Sequence, residues 1–227
     1  MIKGFIFISF DKVFSKIDFE NMLIKRNENK AFNHALTYLG IGMKSISEIK
    51  KYLEKKEYDS NTIENTITRL SELGYLNDYT YANQIFNYYK ENNKGPQYIS
   101  KKLFEKNISK IIIDQVITEY NDSDEADVIN IIIESLAPRF KEYPIIKQRQ
   151  LIADKLIRNG FTPNIVYSII KEYELIDESD NKLLLDFEKQ KRLLAGKNLD
   201  PYQQKQKLIQ SLMNKGYEYH KITEILE

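Results

Sequence analysis

Six basic side chains, Lys51, Lys55, Lys101, Lys102, Arg149 and Arg158, have a spacing that lets them act together. The chemistry they offer is attraction of a polyanion, since a phosphate backbone draws Lys and Arg without its sequence being read. Other chemistries find no residues to carry them. The sequence has no Cys, which removes thiolate nucleophiles, thiolate metal sites and disulfides. Its two His, His34 and His220, fall in the first and last parts of the chain, so a shared metal site is not expected. No G-x-x-x-x-G-K-[ST] or G-x-G-x-x-G run occurs. Lys94-Gly95-Pro96 has a single Gly and reads as a turn leading into a helix, a weak phosphate loop at best. Carboxylates are plentiful, but no D-x-D or E-x-x-H constellation stands out from the helix surfaces to select an acid–base pair. No catalytic, metal or cofactor-binding residue is therefore expected, and no cofactor.

The elements that must position the six cations show in a phrase written four times. Leu53…Tyr58-Asp59, Leu103…Ile108-Ser109, Leu156…Phe161-Thr162 and Leu212…Tyr217-Glu218 each place a second apolar residue five positions after a Leu. Ile49, Ile99, Ile152 and Leu208 stand four before each Leu, and Ile63, Ile113, Val166 and Ile222 ten after it. A period of this length is the signature of a tandem helical array. Asp200-Pro201 and Thr162-Pro163 are N-cap and first-turn pairs. Gly160 and Gly216 sit where a left-handed C-cap is wanted, Asn107 holds the same place, and Glu57 in that place predicts that its helix ends differently.

The expected fold is all-α: four three-helix repeats in an elongated, curved array, over residues 29–76, 77–121, 122–176 and 177–227. An N-terminal segment, 1–28, holds a strand near 5–10 and a short helix. The first repeat's helices are expected at 29–39, 45–57 and 60–73, and the third repeat's first helix at 123–141. The second helices, 44–57, 94–108, 144–160 and 200–217, carry 16 Lys or Arg against 6 Asp or Glu in a chain of net charge +1. Helical geometry turns Lys51, Lys55, Lys101 and Arg158 away from the apolar faces. Stacked in register, these helices would form a basic stripe.

Apolar residues at 42% and charged residues at 30% suit a folded soluble protein. No apolar run reaches the length of a membrane span, and the short apolar start lacks a cleavage site, so a cytoplasmic protein is expected. Tyr81, Phe86, Tyr88 and Tyr89 crowd one helix, where packing competes with base stacking as their role. Asn77 or Asp78 is a natural N-cap, and a structural role is favoured for Asp78.

Several of these residues also carry a family resemblance. Ala35-Leu36-Thr-Tyr38-Leu39, Ser45-Ile-Ser-Glu48-Ile49, Leu73-Gly74-Tyr75-Leu76-Asn77-Asp78-Tyr-Thr-Tyr81-Ala82 and Lys94-Gly95-Pro96, in that order, resemble the RecX family of recombination regulators. The ending Leu212 to Ile222 is similar to the C-terminal repeat of its longer members. The resemblance implies three-helix repeats, a cytoplasmic location and no catalysis. It implies binding to the filament of the RecA recombinase on single-stranded DNA, and control of strand exchange and of the co-protease function used in the SOS response. Inhibition of the filament by a monomer is the expected mode, and direct contact to single- or double-stranded DNA is left open because it varies across the family. The family usually carries Arg after the first repeat's Tyr-Leu, where this chain has Gly40-Ile-Gly42-Met-Lys44. Longer relatives have an extra β-rich N-terminal segment, of which residues 1–10 would be a remnant. Two other readings are a stand-alone DNA-binding module and a general protein scaffold.

Overall fold

Gly, Pro and capping residues decide where each helix of this chain stops. A computed structural model describes residues 7–9, 12–14, 16–197 and 199–226. Strands β1 (Phe7–Ser9) and β2 (Lys12–Phe14) pair antiparallel, with Phe7 opposite Phe14. Among the described residues twelve α-helices follow. They are α1 (Lys16–Leu39), α2 (Ile46–Glu54), α3 (Ser60–Glu72), α4 (Asp78–Glu91), α5 (Pro96–Glu105), α6 (Lys110–Ile117), α7 (Asp122–Leu136), α8 (Ile145–Arg158), α9 (Pro163–Glu172), α10 (Asp180–Ala195), α11 (Pro201–Asn214) and α12 (Tyr219–Leu226). The helical-repeat fold expected from the period is the fold found.

Four local expectations need correction. The strand expected at 5–10 is β1 at 7–9, with residues 5, 6 and 10 outside the described residues, and β2 adds a partner too short to show alternation. The short helix and the helix expected at 29–39 are one helix, α1, running from Lys16. Its first half shows Ile17, Met22, Leu23 and Ile24 to solvent, and only Ala31, Phe32 and Ala35 are buried, so no apolar face marks its start. α7 stops at Leu136, not near 141, because Pro138 brings a 3-10 turn over Ala137–Arg139.

The fourth correction concerns the repeated phrase. Its Leu carbonyl accepts the N–H of the apolar residue five places on, at 3.3 Å for Leu53–Tyr58, 3.2 Å for Leu103–Ile108, 3.3 Å for Leu156–Phe161 and 3.3 Å for Leu212–Tyr217. A second, inner bond joins the residue before the apolar one to the carbonyl after the Leu in every copy. This is a Schellman closure, and it requires a left-handed residue. Gly160 (φ +85°), Gly216 (φ +95°) and Asn107 (φ 56°) supply it, and so does Glu57 (φ 63°). The first copy therefore ends like the others, with a side chain that fits poorly there. Glu57→Gly is expected to stabilise the chain by about 0.5–1 kcal/mol, the left-handed penalty less the added freedom of the unfolded chain. A urea titration measures this, and a loss of stability would contradict it.

The chain divides into two compact units, Met1–Tyr88 with Ser100–Ile117, and Tyr89–Ile99 with Thr118–Glu227. In the first, α1, α2 and α3 pack around Ala35, Ile49, Leu53, Ile67 and Leu70. The second holds two cores. α7, α8 and α9 enclose Ile133, Ile152, Leu156, Phe161 and Val166, and α10, α11 and α12 enclose Leu183, Phe187, Leu208, Leu212 and Ile222. The Leu of the phrase is fully buried in all four copies.

Candidate binding surfaces and the joints behind them

In the first unit, Lys51 and Lys55 are exposed on and just after α2, and Lys101 is exposed on α5. Lys102 is tied to Glu105 at 2.8 Å. A further basic group escaped the sequence reading. Tyr38 and Tyr52 stack at 4.3 Å with nearly parallel rings, and each carries a lysine, Lys44 over Tyr38 at 5.1 Å and Lys56 over Tyr52 at 5.8 Å. Such pairs lie 14 positions apart, so no short motif announces them. They hold two ammonium groups in place by cation–π attraction.

The same unit holds a polar joint. The buried Ser45 caps α2, accepting the Glu48 N–H at 3.2 Å while Glu48 accepts the Ser45 N–H at 3.0 Å. The Ser45 hydroxyl also donates to the Lys106 carbonyl just past α5, at 3.1 Å. The Lys106 ammonium reaches Glu48 at 2.7 Å, and the Tyr81 hydroxyl donates to Glu48 at 3.1 Å. The end of α5 thus seats on the start of α2, opposing the negative end of one helix to the positive end of the other.

Burial raises the Glu48 carboxyl, but Lys106 and the Ser45 N–H outweigh it and hold it below the usual range. Burial and the Glu48 charge push the Tyr81 hydroxyl up to about 12. Asn77, not Asp78, caps α4, accepting the Thr80 N–H at 3.0 Å. Asp78 instead reaches α2 and accepts the Ile46 N–H at 2.9 Å, which gives its structural role a particular form.

Burial raises the Asp78 carboxyl, the Ile46 N–H lowers it, the Glu48 charge raises it, and the net shift is upward. A carboxyl raised in the fold contributes stability that is complete below its unfolded value of 3.8 and lost as pH rises through the folded value. Asp78→Asn keeps an oxygen for Ile46 and removes the repulsion. It should be the more stable form at neutral pH, with the advantage vanishing as pH falls below 3.8 in denaturant titrations across pH.

In the second unit, Arg158 is exposed near the end of α8, its Nε donating to the Asp154 carbonyl at 3.1 Å. Arg149 is not a surface residue of that kind. It is half-buried in a cleft of about 330 Å³ between α8 and α9, with one terminal nitrogen donating to the Tyr173 carbonyl at 3.3 Å. The sequence reading did not separate these two arginines, because helical position alone does not say which face a neighbour covers.

A second joint lies in this unit. The Gly95 N–H donates to the Asn159 carbonyl at 2.9 Å and the Gln97 N–H to the Gly160 carbonyl at 3.0 Å. The N–H groups that a phosphate loop at Lys94-Gly95-Pro96 would offer are therefore occupied by the end of α8. Lys94 adds a bond to the Asn159 side chain at 3.1 Å and lies over the Tyr98 ring. The N–H and hydroxyl of Thr162, at the start of α9, both donate to the buried Glu125. At a third joint, the start of α8 approaches Gly216 at the end of α11.

The aromatic cluster on α4 divides by unit. Tyr81 and Phe86 are buried in the first, and Tyr89 packs edge-to-face on Tyr98 in the second. Tyr88 is exposed. His34 bonds the Tyr58 hydroxyl at 2.9 Å, and His220 lies 3.2 Å from Glu218. Among the described residues no cluster of three or more His, Asp or Glu could hold a metal, and no helix is long and apolar enough to cross a membrane.

Comparison with known proteins gives this arrangement a family. The regulatory protein RecX of Listeria monocytogenes serovar 1/2a is 31% identical over 224 residues, covering 95% of this chain and 81% of the relative. The chain belongs to the RecX family. The RecX of Bacillus cytotoxicus is 28% identical over 93% of the chain and 79% of the relative. The family models for the first and third three-helix domains of RecX match residues 31–70 and 187–226. These stretches hold Ser45, Glu48 and the fourth copy of the phrase. The crystal structure of RecX from Lactobacillus salivarius superposes with a TM-score of 0.63 at 26% identity, covering 65% of this chain and 97% of that one. RecX relatives carry the name of regulatory proteins, and that is the class of this chain.

Proposed function

We propose that this RecX-family chain binds the RecA recombinase filament on single-stranded DNA and restrains its recombinase and co-protease activities in DNA repair and the SOS response. It does so in the cytoplasm, as a monomer, without catalysis of its own. The observation that carries this reading is the 31% identity to a RecX regulatory protein across 95% of the chain. Charge supports it. The second helices concentrate cations in a chain of net charge +1, and Lys51, Lys55, Lys101 and Arg158 stand exposed. These four are the proposed electrostatic contacts. Lys102 and Arg149 make internal bonds instead, to Glu105 and to the Tyr173 carbonyl, and contribute less.

The test is the ATPase rate of RecA on single-stranded DNA with substoichiometric amounts of this protein. A fall in rate with filament loss is expected. An unchanged rate would refute the reading. Tight, salt-sensitive binding to bare single strands with no effect on RecA would favour a stand-alone DNA-binding module.

A further inference from the structure

A cleft of about 380 Å³ opens in the second unit, where the start of α8 faces the end of α11 and one side of α10. Its mouth is partly apolar. Ile146 is 66% and Met213 44% exposed, large apolar side chains at the mouth of a concavity and not scattered on a convex surface. Its rim is basic. Lys147 donates only to the neutral Gln150 side chain, at 2.9 Å, and the Lys182 ammonium lies 3.7 Å from the centre of the Tyr143 ring. Asp186 is the acid within the cleft, and it is satisfied internally by Lys215 at 2.6 Å and by the Tyr217 hydroxyl at 2.9 Å. Lys147 has a neutral partner and Lys182 shares the single Asp186 charge with Lys215, so the cleft keeps positive charge for an incoming anion. The first turn of α8 has no side-chain cap, as is also true of α9 and α10, and it faces Gly216.

We propose that this cleft docks an acidic segment of a partner protein. A carboxylate would sit between Lys147 and Lys182, and a neighbouring apolar side chain would rest on Ile146 and Met213. Protein fits better than nucleic acid for two reasons. The ring that could stack on a base, Tyr143, is already covered by Lys182. Ile146 and Met213 at the mouth offer nothing to a sugar–phosphate backbone, but they suit the apolar anchor of a protein hot spot.

The assignment goes beyond the reading of the chain as a RecA regulator and does not require it. Fluorescence anisotropy with a labelled peptide of repeated Glu-Glu-Leu triplets tests it, using the full chain and no RecA. The peptide should bind. Lys147→Gln with Lys182→Gln should weaken it about tenfold. Met213→Ser, and a peptide with Gly in place of Leu, should each weaken it severalfold. The three protein changes are at exposed or half-exposed side chains and should leave the thermal melt in place. Absence of peptide binding, equal binding by the Lys147/Lys182 variant or by the Gly peptide, or equal competition by oligothymidylate would each overturn the proposal. Because the assay contains no RecA, such a result leaves the ATPase test of the proposed function standing, and the converse holds.

Discussion

Gly160→Ala is expected to destabilise the second unit by about 4 kcal/mol, four times what a left-handed glycine alone would cost. A Cβ on Gly160 would lie 2.3 Å from the Tyr98 nitrogen and 2.5 Å from the Tyr98 Cβ. A Cβ on Gly95 would lie 2.4 Å from the carbonyl carbon of Gly160 and 2.4 Å from the Phe161 nitrogen. The obstacles are mostly backbone, which cannot rotate away. Relief would have to pull the start of α5 off the end of α8 and break the Gly95–Asn159 and Gln97–Gly160 bonds with it.

Gly95→Ala should therefore cost a similar amount, although Gly95 has no positive φ. Gly74→Ala is the control. Its φ is +75° with nothing within 4 Å of the added carbon, so it should cost only about 1 kcal/mol. Urea unfolding followed by circular dichroism separates the three. A Gly160→Ala loss no larger than that of Gly74→Ala would show that the joint yields easily.

Reversing Lys51, Lys101 and Arg158 to Glu should weaken binding to the RecA–DNA filament about a hundredfold near 0.1 M salt and flatten its log–log salt dependence by about 2. All three side chains are exposed. Arg158 lies in the last turn of α8, where a carboxylate opposes the helix dipole by about 0.5 kcal/mol, too little to unfold the unit. Lys102→Gln and Arg149→Gln form the comparison pair. They change formal charge too, but at side chains already committed to Glu105 and to the Tyr173 carbonyl, so their effect on the slope should be small. Filament binding measured at several salt concentrations decides the matter. A triple variant that binds like the parent at every salt would remove the exposed cations from the mechanism.

Much of the fold was legible in the sequence because the signals were local. The phrase ending at Tyr58, Ile108, Phe161 and Tyr217 contains its whole hydrogen-bonding scheme within six residues. Pro96, Pro163 and Pro201 each mark a first turn. What stayed hidden required neighbours far away in the chain. Gly95 reads as a turn and Gly160 as a cap, but their mutual approach across 65 positions has no local sign. Asn77 and Asp78 read equally well as the cap of α4, and the placement of Ile46 beside Asp78 separates them. Glu57 was misread for a different reason: side-chain preference is a weak term, and the Leu53 closure imposed the left-handed turn against it.

The separate cores have a mechanical consequence. Leu53, Leu156 and Leu212 each lock a different three-helix core, and each core draws its apolar residues from one short stretch of chain. Bundles joined in series carry the same tension, so the one with the lowest barrier opens first and the chain lengthens in discrete steps. A bundle opened by a passing strain has its core contacts close by in sequence, which favours rapid re-formation of that core once the load is gone.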